Sequence, residues 1–425
     1  MKKAVILAAG DSTRMLPLSA NQPKHLLPIA GKPLIFHTME ALEKAGIKET
    51  LVVYGYHAER LREVVESRSW KMAISFVNQK ERKGTGHAAG YAKKFVGKKD
   101  AILIFGDVMV GPGSFEGLME YHNQGGYDFT LSTKPIEDPS EYGVAVVKRG
   151  KVTLIVEKPK LEDLVSNLVS AGIFAITSAL WDAIDKTKVS SRGEIELTES
   201  ISMLIEQGNV GAYALPSWWI DVGKPWDLLE ANKLVLDSEK KRIQGTVEDG
   251  AVIKGNTIIE EGAFIKSGAY IEGPAFIGKN STVGPNCYIR AYTSLGRKVK
   301  IGNAVEIKNS IIMDETSVGH LSYVGDSIIG QRSNFGAGTI TANLRHDNRS
   351  IFATVKGKRF NSKRRKLGAI IGDDVKTGIG TSINPGIVIH QGARTGVGVI
   401  VNRDIAPNKL VIAKQQQVTM DADNK

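Results

Sequence analysis

Residues 251–283 read AVIKGNTIIEEGAFIKSGAYIEGPAFIGKNSTV, and an aliphatic residue returns at every sixth position. The series extends to residue 307 and comprises Ile253, Ile259, Ile265, Ile271, Ile277, Val283, Ile289, Leu295, Ile301 and Ile307. A small residue stands two places before each of the first eight: Ala251, Thr257, Ala263, Ala269, Ala275, Ser281, Cys287 and Thr293. A period of six fits neither a helix nor an ordinary alternating strand. It predicts a parallel β-helix, in which each hexad is one short strand and a turn, and three hexads complete one coil.

Two irregularities interrupt the hexad series. The register slips near Ser310 and resumes at Ile312, and an excursion at about residues 343–367 precedes its return at Ile371. The excursion contains KGKRFNSKRRK at 356–366, in which seven of eleven residues are basic. We interpret it as a projecting loop that binds the phosphates of CoA or of a sugar phosphate, or is a solvated arm, or binds nucleic acid. No ladder of stacking aromatic residues accompanies it, which weakens the last interpretation.

The residues before 237 follow a different pattern, in which apolar strand candidates alternate with amphipathic helix candidates. The strand candidates are residues 3–8, 50–54, 101–106 and 171–176, and the helix candidates are 33–45, 59–66, 86–95 and 225–236. This alternation predicts an α/β domain with a doubly wound, Rossmann-like sheet and a ligand crevice at the carboxyl ends of its strands. We therefore expect one domain at 1–236, a charged linker at 237–246 and a β-helix domain at 247–425.

Composition narrows the class of protein further. The chain has 425 residues, more than one hydrophobic core usually serves, and its 42% hydrophobic and 24% charged residues are typical of a globular protein. No apolar run approaches the 18 or so residues that would suggest a membrane span. The single cysteine, Cys287, is typical of a reducing cytosol, so we expect a cytoplasmic location, and we interpret Cys287 as a small buried side chain. The net charge of +11 suits phosphorylated small substrates as well as nucleic acid.

A glycine-containing turn follows the first strand, in LAAGDSTRM at 7–15, and PKHLLPIAGKP follows at 23–33. Three small residues would let backbone N–H groups approach the oxygens of a triphosphate: Ala8, Ala9 and Gly10. Arg14 can pair with phosphate through two nitrogens, and Lys24 offers a mobile point charge. These residue types together suit the binding of a nucleoside triphosphate.

The two stretches resemble the signature of the sugar-1-phosphate nucleotidylyltransferases, LAAGxGTRxxPxT…PKxLxPIxxKP. Further motifs follow in the family's order: Gln79 with GTGHA at 84–88, FGD ending at Asp107, YG at 142–143, VEKP at 156–159 and WIDVGKPWDLLEAN at 219–232. The resemblance implies in-line attack of a sugar 1-phosphate on the α-phosphorus of UTP or dTTP, with release of pyrophosphate. Ser12 stands where the family usually has Gly, and we expect its backbone to stay outside the left-handed region.

The same resemblance implies roles for individual residues. Asp107 and Asp221 match the acidic positions that hold Mg²⁺. Lys24 and Lys158 would flank the reacting phosphates. Gly143 and Glu157 would border the sugar. Three residues would contact the pyrimidine base, whose edge an amide can read as both donor and acceptor: Gln79, Gly84 and Thr85.

The segment at 306–345, EIKNS…GHLSYVGDS…NFGAGTITANLR, resembles the acetyltransferase domain of the bifunctional enzymes that make UDP-N-acetylglucosamine. The matching positions are Arg290, Glu306, Lys308, His320, Tyr323, Asn334, Ala337 within GAGT, and Asn343. The resemblance implies N-acetylation of glucosamine 1-phosphate by acetyl-CoA, with His320 taking a proton from the ammonium group. Arg290 and Lys308 would hold the sugar phosphate, and a backbone amide of the GAG turn would support the oxyanion.

Three functions remain open at this stage. The chain is a bifunctional enzyme, a monofunctional glucose-1-phosphate thymidylyl- or uridylyltransferase with a scaffolding β-helix, or a non-catalytic assembly subunit. The non-catalytic function is disfavoured because the phosphate and metal residues are intact: Arg14, Lys24, Asp107 and Asp221. The monofunctional one is disfavoured because the acetyltransferase residues are intact: His320, Tyr323 and Asn343. The resemblance also implies a left-handed β-helix that assembles as a homotrimer or a dimer of trimers, with active sites between subunits.

Overall fold

The computed structural model of the protein describes residues 1–414 and 416–419, in two compact units. The first unit comprises residues 1–13, 21–27 and 32–223, and the second comprises residues 14–20, 28–31 and those from 224 onward. Two short segments and the last helix of the predicted domain 1–236 thus pack within the second unit. The final residues of the predicted domain 247–425 lie outside the described residues. No helix among the described residues is long and apolar enough to cross a membrane.

The chain before residue 240 alternates strands and helices. The strands are β1 Lys3–Ala8, β2 Pro28–Ile29, β3 Lys32–Pro33, β4 Glu49–Tyr54, β5 Ala73–Asn78, β6 Ala101–Phe105, β7 Val108–Val110, β8 Phe129–Pro135, β9 Gly143–Lys148, β10 Lys151–Glu157, β11 Leu168–Ile176, β12 Val210–Ala214 and β13 Trp219–Asp221. The helices are α1 Leu34–Lys44, α2 Ala58–Glu66, α3 Thr85–Gly90, α4 Lys93–Val96, α5 Ser114–Gly125, α6 Ala179–Lys186, α7 Leu197–Glu206 and α8 Asp227–Ser238. The predicted strand at 3–8 is confirmed. The single helix predicted at 86–95 is wrong, because Gly90, a poor residue for a helix interior, ends α3.

The first unit is built on a nine-stranded mixed sheet in the order β5-β4-β1-β6-β11-β8-β12-β10-β9. β1 pairs in parallel with β4 on one side and with β6 on the other, whereas β11 runs antiparallel to β6. The predicted doubly wound pattern is therefore confirmed for the parallel half of the sheet, and the other half is mixed. Because the chain leaves β1 toward β4 and β5 and returns to β6, the boundary between β1 and β6 is the switch point of the sheet.

Burial explains why β1 is a continuous apolar run. Val5 and Leu7 belong to the apolar cluster on one face of the sheet, and Ala4, Ile6 and Ala8 belong to the cluster on the other face. A strand that is covered on both faces has no solvent side, so it needs no polar alternation. The core of the first unit thus lies on both sides of the strands whose carboxyl ends carry the motif residues.

The second unit contains three parallel sheets of short strands, stacked coil upon coil. The strands are β14 Arg242–Ile243, β15 Thr246–Val247, β16 Val252–Lys254, β17 Thr257–Ile259, β18 Phe264–Ile265, β19 Tyr270–Glu272, β20 Ala275–Ile277, β21 Thr282–Val283, β22 Tyr288–Ile289, β23 Thr293–Leu295, β24 Lys300–Asn303, β25 Glu306–Lys308, β26 Ile311–Ile312, β27 Ser317–His320, β28 Tyr323–Gly325, β29 Ile328–Ile329, β30 Asn334–Phe335, β31 Ile340–Thr341, β32 Phe352–Val355, β33 Lys358–Asn361, β34 Ile370–Ile371, β35 Lys376–Thr377, β36 Ser382–Ile383, β37 Val388–Ile389, β38 Arg394–Thr395, β39 Ile400–Val401 and β40 Leu410–Val411. This is the arrangement of a parallel β-helix, as the hexad series predicts.

The register of the coils follows the sequence period. Ile259 pairs with Ile277, eighteen residues later, whereas Leu295 pairs with Ile312, only seventeen residues later. The predicted slip near Ser310 is thereby confirmed as a hexad shortened by one residue. The predicted excursion carries an antiparallel hairpin, β32–β33, and a bridge between Leu344 and Lys366 closes its base.

The side chains of Cys287 and Asn232 are buried within the second unit and contribute to its packing. Cys287 is buried in the stack, and burial raises the pKa of its thiol to about 12, in keeping with a packing role. Asn232 of α8 is fully buried, and its Oδ1 accepts hydrogen bonds from the backbone N–H of Ala30 (2.9 Å) and the hydroxyl of Ser294 (2.7 Å). Its Nδ2 donates to the carbonyl of Tyr292 (2.9 Å), so one amide joins α8 and residues 28–31 to the β-helix.

Candidate active sites

The switch point of the first unit carries the first group of predicted residues. Ala8 ends β1 and is buried, Ala9 follows it, and Gly10 is exposed in the turn beyond. Next to this turn, the N–H of Gly106 donates to the carbonyl of Leu7 over 2.8 Å, which fixes the end of β6 beside the end of β1. The residue that follows, Asp107, is therefore held at the mouth of the crevice.

Lys24 and Asp107 form a buried ion pair. Burial by itself would raise the pKa of Asp107, but the charge of Lys24 and its hydrogen bond outweigh burial, so the pKa is lowered and the carboxylate is ionised. His25 is buried beside them, and burial followed by the charge of Lys24 lowers the pKa of its imidazole to about 3. The pocket thus holds a charged carboxylate and a neutral imidazole around one ammonium group.

The second predicted metal residue, Asp221, lies next to the first. β13 pairs antiparallel with β7, which sets Asp221 opposite Val108, and the N–H of Val222 donates to the carbonyl of Asp107 over 2.9 Å. Among the described residues no group of three or more histidine, cysteine or acidic side chains is arranged so that it could hold a metal ion. Mg²⁺ commonly binds through one or two carboxylates and completes its shell with water and substrate phosphates, so a pair of aspartates fits this ion.

The backbone of Ser12 contradicts the expectation drawn from its sequence. Ser12 has φ 56°, inside the left-handed region that glycine occupies freely. Its buried hydroxyl accepts a hydrogen bond from the N–H of Lys24 over 3.0 Å, and this bond helps to offset the roughly 1 kcal/mol cost of the conformation. Arg14, two residues on, is exposed and belongs to the second compact unit.

The residues predicted to contact the base lie just beyond β5 and at the start of α3. The N–H of Gln79 donates to the carbonyl of Tyr54 (2.8 Å), and its side-chain Nε2 lies 3.0 Å from Nδ1 of His87. Gly84 has φ +99°, and a Cβ there would lie 2.5 Å from the carbonyl oxygen of Ile195, so only glycine fits. His87, to which the sequence assigned no role, therefore orients the amide of Gln79.

The hydroxyl of Thr85 is engaged within the protein. Its Oγ1 accepts a hydrogen bond from the N–H of Leu197, the first residue of α7, over 3.1 Å. The neighbouring N–H of Gly86 donates to the carbonyl of Ile195 over 2.9 Å. Thr85 thus links the start of α3 to α7 by accepting a hydrogen bond. Its own O–H can still act as a donor.

The residues predicted to border the sugar lie at the ends of two antiparallel strands. Gly143 begins β9 and pairs with Glu157, the last residue of β10. The carboxylate of Glu157 accepts a hydrogen bond from the hydroxyl of Thr198 (2.7 Å), and a guanidinium nitrogen of Arg192 lies 3.7 Å away. Nζ of Lys158 lies 3.8 Å from the same carboxylate. Glu157 also lines a cavity of about 340 Å³, which extends toward α7.

A second polar group lies on one wall of the β-helix, around the buried carboxylate of Asp326. Asn343 donates from Nδ2 to the hydroxyl of Tyr323 (3.1 Å) and to Asp326 (2.5 Å). Asn309 donates to the other oxygen of Asp326 over 2.7 Å, and Nζ of Lys308 lies 3.5 Å from the carboxylate. The structure therefore brings together three of the predicted acetyltransferase residues, Tyr323, Asn343 and Lys308.

Two further contacts extend this group along the same wall. Arg290 donates to the carboxylate of Glu306 over 3.0 Å, and Glu306 pairs with Tyr323 in the next coil. The charge of Lys308, followed by a hydrogen bond with it, lowers the pKa of Lys366, which places the last residue of the basic stretch beside the predicted phosphate ligand. Two ammonium groups held this close together create a local field that favours a phosphate.

His320, Asn334 and Ala337 lie around the adjacent corner. His320 ends β27, the strand beside β30, and its side chain is exposed. Its carbonyl accepts a hydrogen bond from the N–H of Gly338 over 3.2 Å, next to Ala337 in the turn after Asn334. Tyr323 begins the following wall only three residues later. The side-chain nitrogen of Asn343 is directed to Tyr323 and Asp326, on the wall beyond the corner from His320.

Comparison with known proteins places both units in one family. A nucleotidyl transferase family model matches residues 3–238, and a model described as the GMPPB C-terminal domain matches residues 271–391. The chain is 43% identical over 416 residues to "Bifunctional protein GlmU" of Methanococcus maripaludis strain C7, with 98% of both chains covered. It is also 43% identical over 416 residues to the "Bifunctional sugar-1-phosphate nucleotidylyltransferase/acetyltransferase" of Sulfurisphaera tokodaii, covering 95% of this chain and 98% of that one.

The chain belongs to the bifunctional GlmU family. Among solved structures, a UDP-glucose pyrophosphorylase complexed with UDP-glucose matches with a TM-score of 0.50 and 25% identity, over 56% of this chain and all of that one. The two relatives named above cover 95–98% of this chain, including the β-helix; both are named as bifunctional, and the name of the Sulfurisphaera tokodaii protein gives both activities. Family membership therefore favours the bifunctional hypothesis over the monofunctional and non-catalytic ones.

Sequence reasoning gave no role to several polar residues that the structure brings to these sites. Thr198 and Arg192 contact Glu157, His87 contacts Gln79, and Asp326 binds Asn343. Lys366 ends the basic stretch for which the sequence already suggested phosphate binding, and it lies beside Lys308. Asp326 stands in the quoted stretch GHLSYVGDS, so its proximity to the other motif residues was the available signal. Thr198 and Arg192 carried no comparable signal, because they reach Glu157 from a loop and a helix distant in sequence.

Proposed function

We propose that this protein catalyses two reactions of UDP-N-acetylglucosamine synthesis. In one, acetyl-CoA acetylates the amino group of glucosamine 1-phosphate; in the other, UTP transfers UMP to N-acetylglucosamine 1-phosphate and pyrophosphate leaves. The observation that carries the proposal is that bifunctional relatives span 98% of a chain that contains both the nucleotidyl-transfer motifs and the acetyl-transfer segment.

The first unit supports nucleotidyl transfer through charge and positioning. An oxygen of the sugar phosphate attacks the α-phosphorus of UTP, and the bond from that phosphorus to the bridging oxygen of pyrophosphate breaks. The backbone of residues 8–10, with Lys24, would neutralise the triphosphate, and Glu157 with Gly143 would orient the sugar hydroxyls. The family motif implies a phosphate role for Arg14 as well. Gln79, held by His87, would read the pyrimidine base, with Gly84 and Thr85 beside it.

Mg²⁺ fits the pair formed by Asp107 and Asp221, and when bound it supplies charge neutralisation for the transferred phosphates. The ion pair with Lys24 keeps Asp107 ionised, which is the form that binds a cation. Lys24 is therefore positioned to exchange its partner between this carboxylate and a substrate phosphate. Lys158 would flank the sugar phosphate from the end of β10.

The second unit supports acetyl transfer. His320 would take a proton from the ammonium of the amino sugar, whose nitrogen attacks the thioester carbonyl, and CoA leaves as the thiol after gaining a proton. Lys308, Lys366 and Arg290 would hold the sugar phosphate, with Glu306 fixing Arg290. Tyr323 and Asn343 would orient the sugar, Asn334 would contact it, and a backbone N–H near Ala337 would support the oxyanion.

We propose further that the β-helix is left-handed and that three chains associate through its walls, which would cover the exposed His320. The family resemblance supports the handedness. Light scattering coupled to gel filtration measures the assembly directly. A monomer with full acetyl transfer activity would contradict the trimer.

A product assay tests the two reactions together. Purified full-length protein is incubated with Mg²⁺, acetyl-CoA, UTP or dTTP and a panel of hexose and hexosamine 1-phosphates. We expect UDP-N-acetylglucosamine from glucosamine 1-phosphate only when both acetyl-CoA and UTP are present. Nucleotide sugar formation without any acetylated product from every amino sugar tested would contradict the acetyltransferase half.

Paired variants separate the two sites. His320→Ala should abolish acetyl transfer and leave pyrophosphate release unchanged, whereas Asp107→Ala should do the reverse. His346→Ala, at another exposed histidine of the β-helix unit, and Asp100→Ala, at the opposite end of β6, serve as matched controls. Equal loss of both activities in either site variant would show that the assignment is wrong.

A further inference from the structure

The hairpin that interrupts the β-helix encloses a cavity with the coils below it. The cavity has a volume of about 400 Å³, and it lies entirely within the second unit. Its polar lining consists of Arg345, Arg359, Arg403, Asp404, Asn384 and Asn402. None of these residues belongs to the two groups described above. Arg359 lies in the basic stretch at 356–366, for which phosphate binding was one interpretation of the sequence. A volume of this size is typical of small-molecule sites.

The hairpin packs closely against the rest of the second unit, so this wall of the cavity has a fixed position. The side chains of Ile351, Ala353 and Val355 are buried. A Cβ on Gly386, which has φ +72°, would lie 2.3 Å from the carbonyl oxygen of Phe352, so the hairpin backbone rests directly on this turn. The buried hydroxyl of Ser362 donates to the carbonyl of Ile351 over 2.6 Å. These contacts fix the strand that carries the aromatic edge of the cavity.

The charges that line the cavity favour an anion. Arg345 is already paired, through two hydrogen bonds, with Asp347. Asp404 accepts a hydrogen bond from the N–H of Val388 over 2.8 Å. In contrast, Arg359 and Arg403 form no ion pair with any of the residues the structure describes. A guanidinium group presents a planar fork of donors that matches phosphate oxygens, so these two side chains have unused capacity for phosphate.

An aromatic ring stands on the same face of the hairpin as one of these arginines. Phe352 pairs with Asn361 and Thr354 pairs with Arg359, so Phe352 and Arg359 are diagonal neighbours on one face. The ring of Phe352 is 41% exposed and lines the cavity together with Ile387. An exposed aromatic ring beside a cation suits a flat heterocycle, which stacks on the ring while its phosphates reach the guanidinium groups.

We propose that this cavity binds a nucleotide that carries at least two phosphate groups, with the phosphates on Arg359 and Arg403 and the base against Phe352. Two sources share this chemistry: the 3′-phosphorylated ADP end of CoA, and a free uridine nucleotide or nucleotide sugar. The CoA source rests on the proposed acetyl transfer, whereas the uridine source does not; the binding test below measures neither reaction, so its outcome is independent of both activities. It would give the excursion at 343–367 a function that the uninterrupted hexads lack.

Calorimetric titration of the full-length protein tests the proposal, in buffer without Mg²⁺ and with adenosine 3′,5′-bisphosphate, UDP and tripolyphosphate as probes. Arg359→Gln and Arg403→Gln should each weaken the binding of adenosine 3′,5′-bisphosphate or UDP at least tenfold. Lys358→Gln makes the same charge change one residue away, on the other face of the hairpin, and should leave binding unchanged. Equal weakening by all three variants would reveal a diffuse basic surface and overturn the proposal, as would no weakening by either arginine variant.

The ring and the location are tested separately. Phe352→Ala should weaken both nucleotides about five- to tenfold and leave tripolyphosphate unaffected, because stacking contributes roughly 1–3 kcal/mol per base. Hydrogen exchange should slow on nucleotide addition in peptides covering 351–361 and 384–404. Preference for adenosine 3′,5′-bisphosphate identifies CoA as the source, and preference for UDP identifies a uridine nucleotide. Absence of protection in both peptides would exclude the site.

Discussion

The ammonium of Lys24 and the carboxylate of Asp107, 83 residues apart in sequence, form a buried ion pair at the switch point of the sheet. Burial opposes the charged form of Asp107, and the cation beside it reverses that effect. The pair therefore keeps a metal ligand deprotonated inside the protein. It also gives Lys24 a defined position from which to meet a phosphate.

Removing the cation should make metal use sensitive to pH. In the native protein the pKa of Asp107 is lowered, so the carboxylate is charged from neutral pH well into the acid range. In Lys24→Met the largest influence that opposes burial is lost, so the pKa of Asp107 rises, and protons compete with Mg²⁺ as the pH falls. We expect the Mg²⁺ concentration for half-maximal pyrophosphate release to increase more steeply in the variant between about pH 7.5 and pH 5.5. Lys24→Arg retains a cation and should follow the native profile; a parallel profile for Lys24→Met would contradict this prediction.

Thr198 should act as a positioning residue for the sugar. Its hydroxyl donates to Glu157 over 2.7 Å, and Thr198→Val removes this donor while preserving the shape of the side chain. The loss of one hydrogen bond to a charged group corresponds to about 1.5–3 kcal/mol, so we expect KM for the sugar 1-phosphate to rise at least tenfold. Steady-state pyrophosphate release should show an unchanged KM for UTP. Thr198→Ser keeps the donor and should behave as the native protein; equal kinetics for the serine and valine variants would refute the role.

Asp326 should organise the acetyl transfer site without contacting the reacting atoms. It is 4% exposed and accepts hydrogen bonds from Asn309 and Asn343 while it balances Lys308. Asp326→Asn preserves the shape, removes the charge and places an amide donor against Asn343. We expect kcat/KM for acetylation to fall at least tenfold, because the carboxylate accepts these charge-assisted bonds, while pyrophosphate release is unaffected.

A carboxylate on the outer surface of the β-helix provides the control for this change. Asp314 binds Arg297 through two hydrogen bonds at 2.9 and 2.7 Å. Surface pairs of this kind contribute little, so Asp314→Asn should leave both activities intact. A loss of acetylation in Asp314→Asn that matched the loss in Asp326→Asn would point to general destabilisation of the β-helix.

Asn232 should contribute to stability rather than to catalysis. Asn232→Ala removes the partner of two buried groups, the N–H of Ala30 and the hydroxyl of Ser294, and of the partly buried carbonyl of Tyr292. An unsatisfied buried polar group costs about 1–3 kcal/mol, so we expect a loss of at least 2 kcal/mol, measured by urea unfolding. Asn303→Ala removes an exposed amide that accepts one hydrogen bond, from Asn286, and it should cost less. A midpoint equal to that of the native protein would contradict the role of Asn232.

The sequence predicted the β-helix because its information is local and repeated. Ile259, Ile277 and Leu295 stack in one wall because each coil repeats the same six-residue pattern. The single shortened hexad before Ile312 was also visible in the sequence. The antiparallel half of the first sheet was not predicted. Strands such as β10 have an irregular burial pattern, and β-pairing across distant segments leaves no periodic trace in any one of them.

The sequence also identified most residue types of the candidate sites, because motifs such as FGD and VEKP keep several functional positions within a short stretch. The partners of these residues were less accessible. Lys24 was expected to bind phosphate, and its contact with Asp107 emerged only from the fold. Ser12 occupies the left-handed region against expectation, since a hydrogen bond to a residue twelve positions away stabilises it there.

By itself, the sequence determined the two architectures, the order of the motifs and the kinds of chemistry they suit, because periodicity and short motifs are written in neighbouring residues. The tertiary structure decided which polar groups meet, Thr198 with Glu157 and Asp326 with Asn343, and which residues line one cavity, among them Arg359 and Arg403. Hydrogen bonds act over a few ångströms, whereas the two bonded pairs are separated by 41 and 17 residues along the chain. Only folding brings them within that range.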